Sequence, residues 1–172
     1  EIVDCDWSSD VCSSDLGTVG SDEKAALAKA HGCAHTINYN TEDFVARVKE
    51  ITGGKGVPVV YDSIGVDTFT KSLDCLAPMG MMVSYGSASG PVPPFSLQEL
   101  ASRGSLFVTR PTLFSYTATR SDLESTAQDL FAMVASGKVK IEIHQRYALK
   151  DAQQAHRDLE SRKTTGSTIL IP

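Results

Sequence analysis

The chain has 172 residues, 41% of them hydrophobic and 22% charged, with a net charge of -5. That is a natural size for one globular domain with a sizeable core, and the mild acidity gives no support for a DNA or RNA partner. No apolar run approaches the roughly 20 residues that a membrane crossing needs, and the acidic, polar start lacks the pattern of a signal peptide.

Residues 1–16 differ from the rest. Ser8-Ser9-Asp10 returns as Ser13-Ser14-Asp15, with neither the period of a strand nor that of a helix. The stretch reads either as a polar flexible lead or as non-native sequence, because Val11 to Leu16 is what a sequencing adapter gives when translated in one frame. Beyond it the punctuation becomes regular. Leu16 to Val19 reads as a short strand, and a helix from about Asp22 to Ala30 stops at His31-Gly32. His35 to Tyr39 is a strand with branched residues. Asn40, with Asp43 three residues on, is expected to cap a helix that buries Phe44, Val48 and Ile51 and ends at Gly53-Gly54.

The stretch Val57 to Gly65 organises the chain. Val57 to Tyr61 is a short apolar strand, Asp62, Ser63 and Gly65 make a small polar turn, and Asp67-Thr68-Phe69 opens a helix. That is the signature of a central parallel strand, and ligands of such sheets sit just past the carboxyl ends of the strands. The helix carries Phe69, Leu73 and Leu76 on one face and is expected to end near Pro78-Met79-Gly80. Met81 to Tyr85 is a strand, Gly86 to Pro94 a loop, and Ser96 with Glu99 a capping box for a helix over 97–102. Ser105 to Thr109 is a strand. The longest helix, Asp122 to Ala135, has Leu123, Ala127, Leu130 and Val134 on its apolar stripe. Val139 to Ile143 alternates like a half-exposed strand, Leu149 leads into a helix with Ala152, Ala155 and Leu159, and Ser167 to Ile171 closes as a strand. Strand and helix alternating at this spacing mean right-handed parallel crossovers in an α/β fold.

The residues that can carry chemistry gather at the strand ends. No Walker loop, nucleophile elbow or Gly-rich phosphate turn is present. Gly20 and Ser21 end the first strand and leave space, and Lys24, one turn into the helix, either meets a nucleotide 2'-phosphate or is solvated behind an Asp22 cap. Tyr39 either flanks an adenosine or covers the sheet. Ser63 and Gly65 either let backbone approach a cofactor or merely turn the chain. Tyr85, Gly86, Ser87 and Ser89 form the most ligand-like loop. Arg110, after Thr109, is placed to reach an anion, and Arg162 lies in a basic helix end that is either a solvated cap or a phosphate contact. His31, His35, His144 and His156 show no metal spacing, and the cysteines show no zinc pattern. Cys75 reads as a buried, inert thiol.

As a set, Gly17-Thr-Val-Gly-Ser21 with Lys24, Ile37-Asn-Tyr39, Lys49-Glu-Ile-Thr-Gly-Gly54, Val59-Val-Tyr-Asp-Ser63, Ser72-Leu-Asp-Cys-Leu76, Val108-Thr-Arg-Pro111, Tyr147-Ala-Leu-Lys-Asp-Ala-Gln153 and Leu170-Ile-Pro172 resemble one family. From Gly17 to Pro172 the chain is similar to the C-terminal half of the zinc-independent medium-chain dehydrogenase/reductases, of the NADPH-dependent quinone oxidoreductase or zeta-crystallin-like type. The resemblance implies NADPH as cofactor and hydride transfer to a quinone or enone. It implies Lys24 and Tyr39 around the 2'-phosphate, and Arg162 on the cofactor phosphates. Ser63, Gly65, Tyr85, Gly86 and Ser89 would lie on the pyrophosphate and nicotinamide-ribose side, with Val108, Thr109 and Arg110 near the nicotinamide. No catalytic residue and no metal ligand is assigned.

The implied fold is a Rossmann-like doubly wound parallel sheet lacking its first strand, residues 17–136, with 137–172 returning toward an absent GroES-like domain. In the order 3-2-1-4-5-6 the first strand is central. Without it strands 2 and 3 lose their link to the others, so this chain alone is expected to be marginally stable and inactive. The cysteine usage makes a reducing cytoplasm the default compartment, charge and hydropathy leave no nucleic acid or membrane partner, and the resemblance implies a homodimer pairing through the edge strand 105–109. The alternatives are a non-catalytic NADPH-binding module and an enoyl or alkenal reductase of the same superfamily.

Overall fold

The computed structural model describes residues 15–161 and 164–172. Up to residue 14, the stretch read as a leader lies outside the described residues. Leu16 belongs to the first strand and is buried. The chain forms two compact units, one ending at Thr112 and the other spanning Leu113–Pro172.

In the first unit β1 (Leu16–Val19), α1 (Asp22–Ala30), β2 (His35–Asn38), α2 (Phe44–Ile51), β3 (Val57–Asp62), α3 (Phe69–Asp74), β4 (Leu76–Ser84), α4 (Gln98–Ser102) and β5 (Phe107–Thr109) follow one another. Every strand pairing is parallel, β1 with β2 and β3 with β4 with β5. Parallel strands need crossover connections, which the helices supply. This is the doubly wound α/β arrangement expected from the sequence.

Among the described residues no ladder joins β1 to β3. One core nevertheless spans both sheets. Leu16 and Ile37 from the first pack in the same cluster as Val57, Val60 and Met82 from the second, with Phe44, Val48, Phe69 and Leu73 from the helices. The apolar faces hold the unit together where the backbone ladder is interrupted.

The second unit contains α5 (Leu113–Tyr116), α6 (Arg120–Ala135), β6 (Ile143–Ala148), a 3-10 turn over Leu149–Asp151, α7 (Ala152–Glu160) and β7 (Ser167–Ile171). β6 and β7 pair in parallel, and Tyr147 on β6 donates to Asp158 on α7 at 2.8 Å.

Several local expectations change. Asp43, not Asn40, caps α2: its Oδ1 accepts from the backbone N–H of Val45 at 2.9 Å and of Ala46 at 3.2 Å, while Asn40 is used elsewhere. Helix α3 ends at Asp74, well short of Pro78-Met79-Gly80, which lie within β4. Pairing decides this. Val57 faces Leu76 and Val59 faces Met81, so β4 bulges between them, with Met79 at φ 60.

Ahead of α4 the capping box is incomplete. Ser96 Oγ accepts from Gln98 N at 3.2 Å, but the Glu99 carboxylate turns to Arg103. A complete box forms before α6, where Thr119 and Asp122 cap each other and start the helix at Arg120. Strand β5 begins at Phe107 because Ser105 is left-handed, φ 61. The expected strand over 139–143 is absent; the chain becomes a strand only from Ile143, where β7 supplies a partner. The expected apolar stripe of α6 is largely uncovered, with Leu123 and Leu130 exposed.

Candidate functional site

Two groups of side chains form at the carboxyl ends of the strands of the first unit. The first joins the ends of β1 and β2. Ser21 caps α1, its Oγ accepting from Lys24 N at 3.2 Å, as small hydroxyl residues do at helix starts. Tyr39 N donates to Val19 O at 3.1 Å, which sets the tyrosine beside the end of β1. A Cβ on Gly20 would lie 2.6 Å from the Tyr39 hydroxyl, so glycine is what lets the ring settle there. Asn40 Nδ2 donates to Gly20 O at 2.7 Å, and Asn38 Nδ2 donates to Asp22 Oδ1 at 2.9 Å. Gly20, Ser21, Lys24 and Tyr39, all singled out in the sequence, thus belong to one group.

The second group joins the ends of β3 and β4. The carboxylate of Asp62, 2% exposed, accepts from Ile64 N at 2.8 Å, Gly65 N at 3.1 Å, Thr68 Oγ1 at 2.7 Å and Ser72 Oγ at 2.9 Å. A buried carboxylate is tolerated when its lone pairs are filled in this way. It fixes the turn Ser63–Gly65 against the start of α3.

That turn locks onto the loop after β4. Tyr85 N donates to Asp62 O at 2.9 Å, Ala88 N to Ser63 O at 3.1 Å, and Ser89 N to Ile64 O at 2.8 Å. The Ser89 hydroxyl adds a bond to Ile64 O at 2.9 Å and accepts from Asp67 N at 3.2 Å. The approach is so close that a Cβ on Gly86 would lie 2.6 Å from Ser63 Cα, and one on Gly65 would run into the carbonyl of Gly90. Ser63, Gly65, Tyr85, Gly86 and Ser89 therefore meet, and both glycines are required by contact between the two loops. Ser89 has its hydroxyl engaged in holding them together.

Arg110 completes this group. Its Nη1 donates to Ser84 O at 2.7 Å and to Gly86 O at 3.2 Å, and its Nη2 to Ser87 Oγ at 3.3 Å. The guanidinium thus clamps the loop after β4. Val108 pairs with Met82 and packs on the core, and Thr109 pairs with Val83 and is exposed. Tyr85 and Tyr39 both leave large faces in solvent, at 44% and 41%. Arg162 lies outside the described residues.

Sequence reasoning gave Asn40 to a helix cap and passed over the Thr68 and Ser72 hydroxyls on Asp62. Asn40 was hidden by its resemblance to a helix cap. Ser72 was hidden on the inner face of a helix, although a hydroxyl there, ten residues after an Asp that ends a strand, is a usable signal. Among the described residues no group of three or more His, Cys, Asp or Glu side chains forms a candidate metal centre.

The family model described as zinc-binding dehydrogenase matches residues 31–170. A quinone oxidoreductase of Pseudomonas aeruginosa is 51% identical over 168 residues, which are 98% of this chain and 52% of that protein. A 2-haloacrylate reductase of Burkholderia sp is 47% identical over 167 residues, 96% of this chain and 50% of that protein. The crystal structure of Escherichia coli quinone oxidoreductase complexed with NADPH superposes with a TM-score of 0.87 at 52% identity, over 91% of this chain and 49% of that one. The chain spans about half the length of these relatives.

Proposed function

The chain belongs to the zinc-binding dehydrogenase family, and on that premise we propose that it carries the NADPH-holding part of an oxidoreductase that reduces a quinone or enone. The observation that carries this reading is the grouping of Gly20, Ser21, Lys24 and Tyr39 at one strand end, in a chain 52% identical to a structure solved with NADPH.

The residues fit the cofactor. The lysine supplies positive charge and the phenol a neutral donor, a set suited to the 2'-phosphate that distinguishes NADPH from NADH. In the second group Ser63, Gly65, Tyr85 and Gly86 are small or flat and would line the remainder of the cofactor, as Val108 and Thr109 would on β5. Arg110 acts by holding the loop after β4 in place. Arg162 is assigned to the cofactor phosphates by resemblance. The reduced nicotinamide, when bound, supplies the hydride, and the protein binds and orients it while shielding it from water.

A second acceptor class is favoured by the 2-haloacrylate reductase similarity: a polarised alkene in place of a quinone. We assign residues 17–136 to cofactor binding and 137–172 to a segment that returns toward a further domain. We also propose a cytoplasmic protein that pairs through its edge strand. In support, the Cys33 and Cys75 thiols are free, no helix among the described residues is long and apolar enough to cross a membrane, and Phe107 on β5 is 57% exposed.

The test is a titration of the chain with NADPH and NADH followed by nicotinamide fluorescence, then an acceptor assay with a benzoquinone and an enone. NADPH binding tighter than NADH, with the preference lost in Lys24→Ala, is the expected result. Equal binding of the two would overturn the NADPH assignment. Binding without turnover of either acceptor identifies a cofactor-holding unit that needs further protein for catalysis.

A further inference from the structure

We propose that Asn40 is a positioning residue for discrimination of the adenosine 2'-phosphate, a role that rests on the NADPH reading above and adds a residue to it. The structure ties the turn that presents Ser21 and Lys24 to the loop after β2 at two points. Asn40 Nδ2 donates to Gly20 O at 2.7 Å, immediately before the helix cap. Asn40 N donates to Asn38 Oδ1 at 3.2 Å, and the other end of that same amide, Asn38 Nδ2, donates to Asp22 Oδ1 at 2.9 Å, immediately after the cap. Ser21, whose hydroxyl holds Lys24 N, is thus bracketed on both sides.

The bracketing matters because of charge. α1 opens with Asp22 and Glu23 before Lys24. Both acids suit the positive end of a helix, but each repels a phosphate that the lysine attracts. Discrimination then depends on where the turn holds the acids relative to the cation. Asn38 fixes the Asp22 carboxylate, and Asn40 fixes the Gly20 carbonyl that determines how the chain enters the helix. An amide suits position 40 in both respects: it donates to Gly20 O and adds no negative charge. Aspartate, of the same shape, would neither donate to a carbonyl nor tolerate a neighbouring phosphate.

Asn40 is exposed and lies outside the hydrophobic core, so its replacement leaves the packing intact. The experiment is calorimetric binding of 2',5'-ADP and of 5'-AMP to the full chain, to Asn40→Ala and to Asn40→Asp, with thermal melts of all three. The expected result is that Asn40→Ala binds 2',5'-ADP about fivefold more weakly with 5'-AMP affinity unchanged, while its melting temperature falls only on the scale of one neutral hydrogen bond. Asn40→Asp is expected to lose about tenfold or more, with the extra loss shrinking as salt is added. Unchanged 2',5'-ADP affinity in both variants overturns the proposal, as does an equal fall for both nucleotides, which marks a merely structural role. If the unsubstituted chain binds the two nucleotides equally, the 2'-phosphate reading itself fails and the role of Asn40 fails with it.

Discussion

Ser72 Oγ donates to the carboxylate of Asp62 at 2.9 Å, and both side chains are buried. One partner sits at the end of β3 and the other in the middle of α3, so the bond ties the strand-end turn to the helix that follows it. With Thr68 and two backbone N–H groups also on Asp62, the carboxylate serves as the common acceptor of four donors. Asp62→Ala removes the shared acceptor of all four, with Gly65 O at 3.4 Å left to the Thr68 hydroxyl alone, and is expected to destabilise the first unit by about 3 kcal/mol, whereas Ser72→Ala removes one donor and costs about 1 kcal/mol. Urea denaturation midpoints of the two variants check the ratio.

Two glycines separate collision from backbone strain. At Gly86 an added Cβ would lie 2.6 Å from Ser63 Cα, which is backbone and cannot step aside. At Gly32 φ is 99 but nothing lies within 4 Å. Gly32→Ala is expected to cost about 1 kcal/mol, the scale of a left-handed strain, with cofactor binding unchanged. Gly86→Ala is expected to cost at least about 2 kcal/mol by forcing the two loops apart, and to abolish NADPH binding as well. Denaturation and nucleotide titration on the same samples distinguish the two.

Arg110 predicts an effect on binding without direct contact. Arg110→Met keeps the long apolar stem but removes the donors to Ser84 O, Gly86 O and Ser87 Oγ. Charge-assisted hydrogen bonds of this kind are worth about 1.5–3 kcal/mol. Loosening of the loop is expected to appear as faster proteolytic cleavage within residues 85–95 and as weaker binding of NADPH and NADH alike. A loss confined to NADPH would instead place the guanidinium on the 2'-phosphate.

Cys75 gives stability a pH dependence of known sign. Burial, with a further push from the Asp74 carboxylate, raises its thiol from 9.0 to about 12. Between those values the unfolded chain releases the proton and the folded chain keeps it. The thiol's contribution is therefore fully present below about pH 9 and lost as pH rises toward about 12, at about 1.4 kcal/mol per pH unit. Other groups titrate in the same window, so the readout is the difference in slope between the unsubstituted chain and Cys75→Ala, which is expected to fall less steeply. The same burial keeps the thiol inert to a disulfide reagent until the chain unfolds.

The interrupted ladder between β1 and β3 predicts how the chain behaves alone. Among the described residues these strand edges lack partners, such edges invite pairing with other chains, and Phe114, Leu97 and Met79 are 87%, 76% and 71% exposed. Concentration-dependent association in sedimentation, with a broad melt and binding of a hydrophobic dye, is expected. A sharp cooperative melt of a monodisperse monomer that NADPH shifts upward would contradict it.

The alternation of strand and helix, the apolar runs and the Gly stops were enough to read Leu16–Val19, Asp22–Ala30 and Ser167–Ile171 at their observed bounds. They also sufficed for the parallel α/β class. These features depend on local chemistry: propensity, capping and side-chain period act over a few residues. The sequence did not determine which of two candidate caps would be used at α2, where α3 gives way to β4, or that Val139 to Ile141 would remain unpaired. Each of those was settled by a partner distant in the chain: Gly20 drew Asn40 away, Val57 drew Leu76 into a ladder, and β7 began its pairing only at Ile143. The same holds within the site. Sequence spacing brought Ser63, Gly65 and Gly86 to notice, but the interlocking of their loops, the four donors on Asp62 and the clamp formed by Arg110 exist only once β3, β4 and β5 lie side by side. Hydrogen bonds act across about 3 Å of space and take no account of separation along the chain.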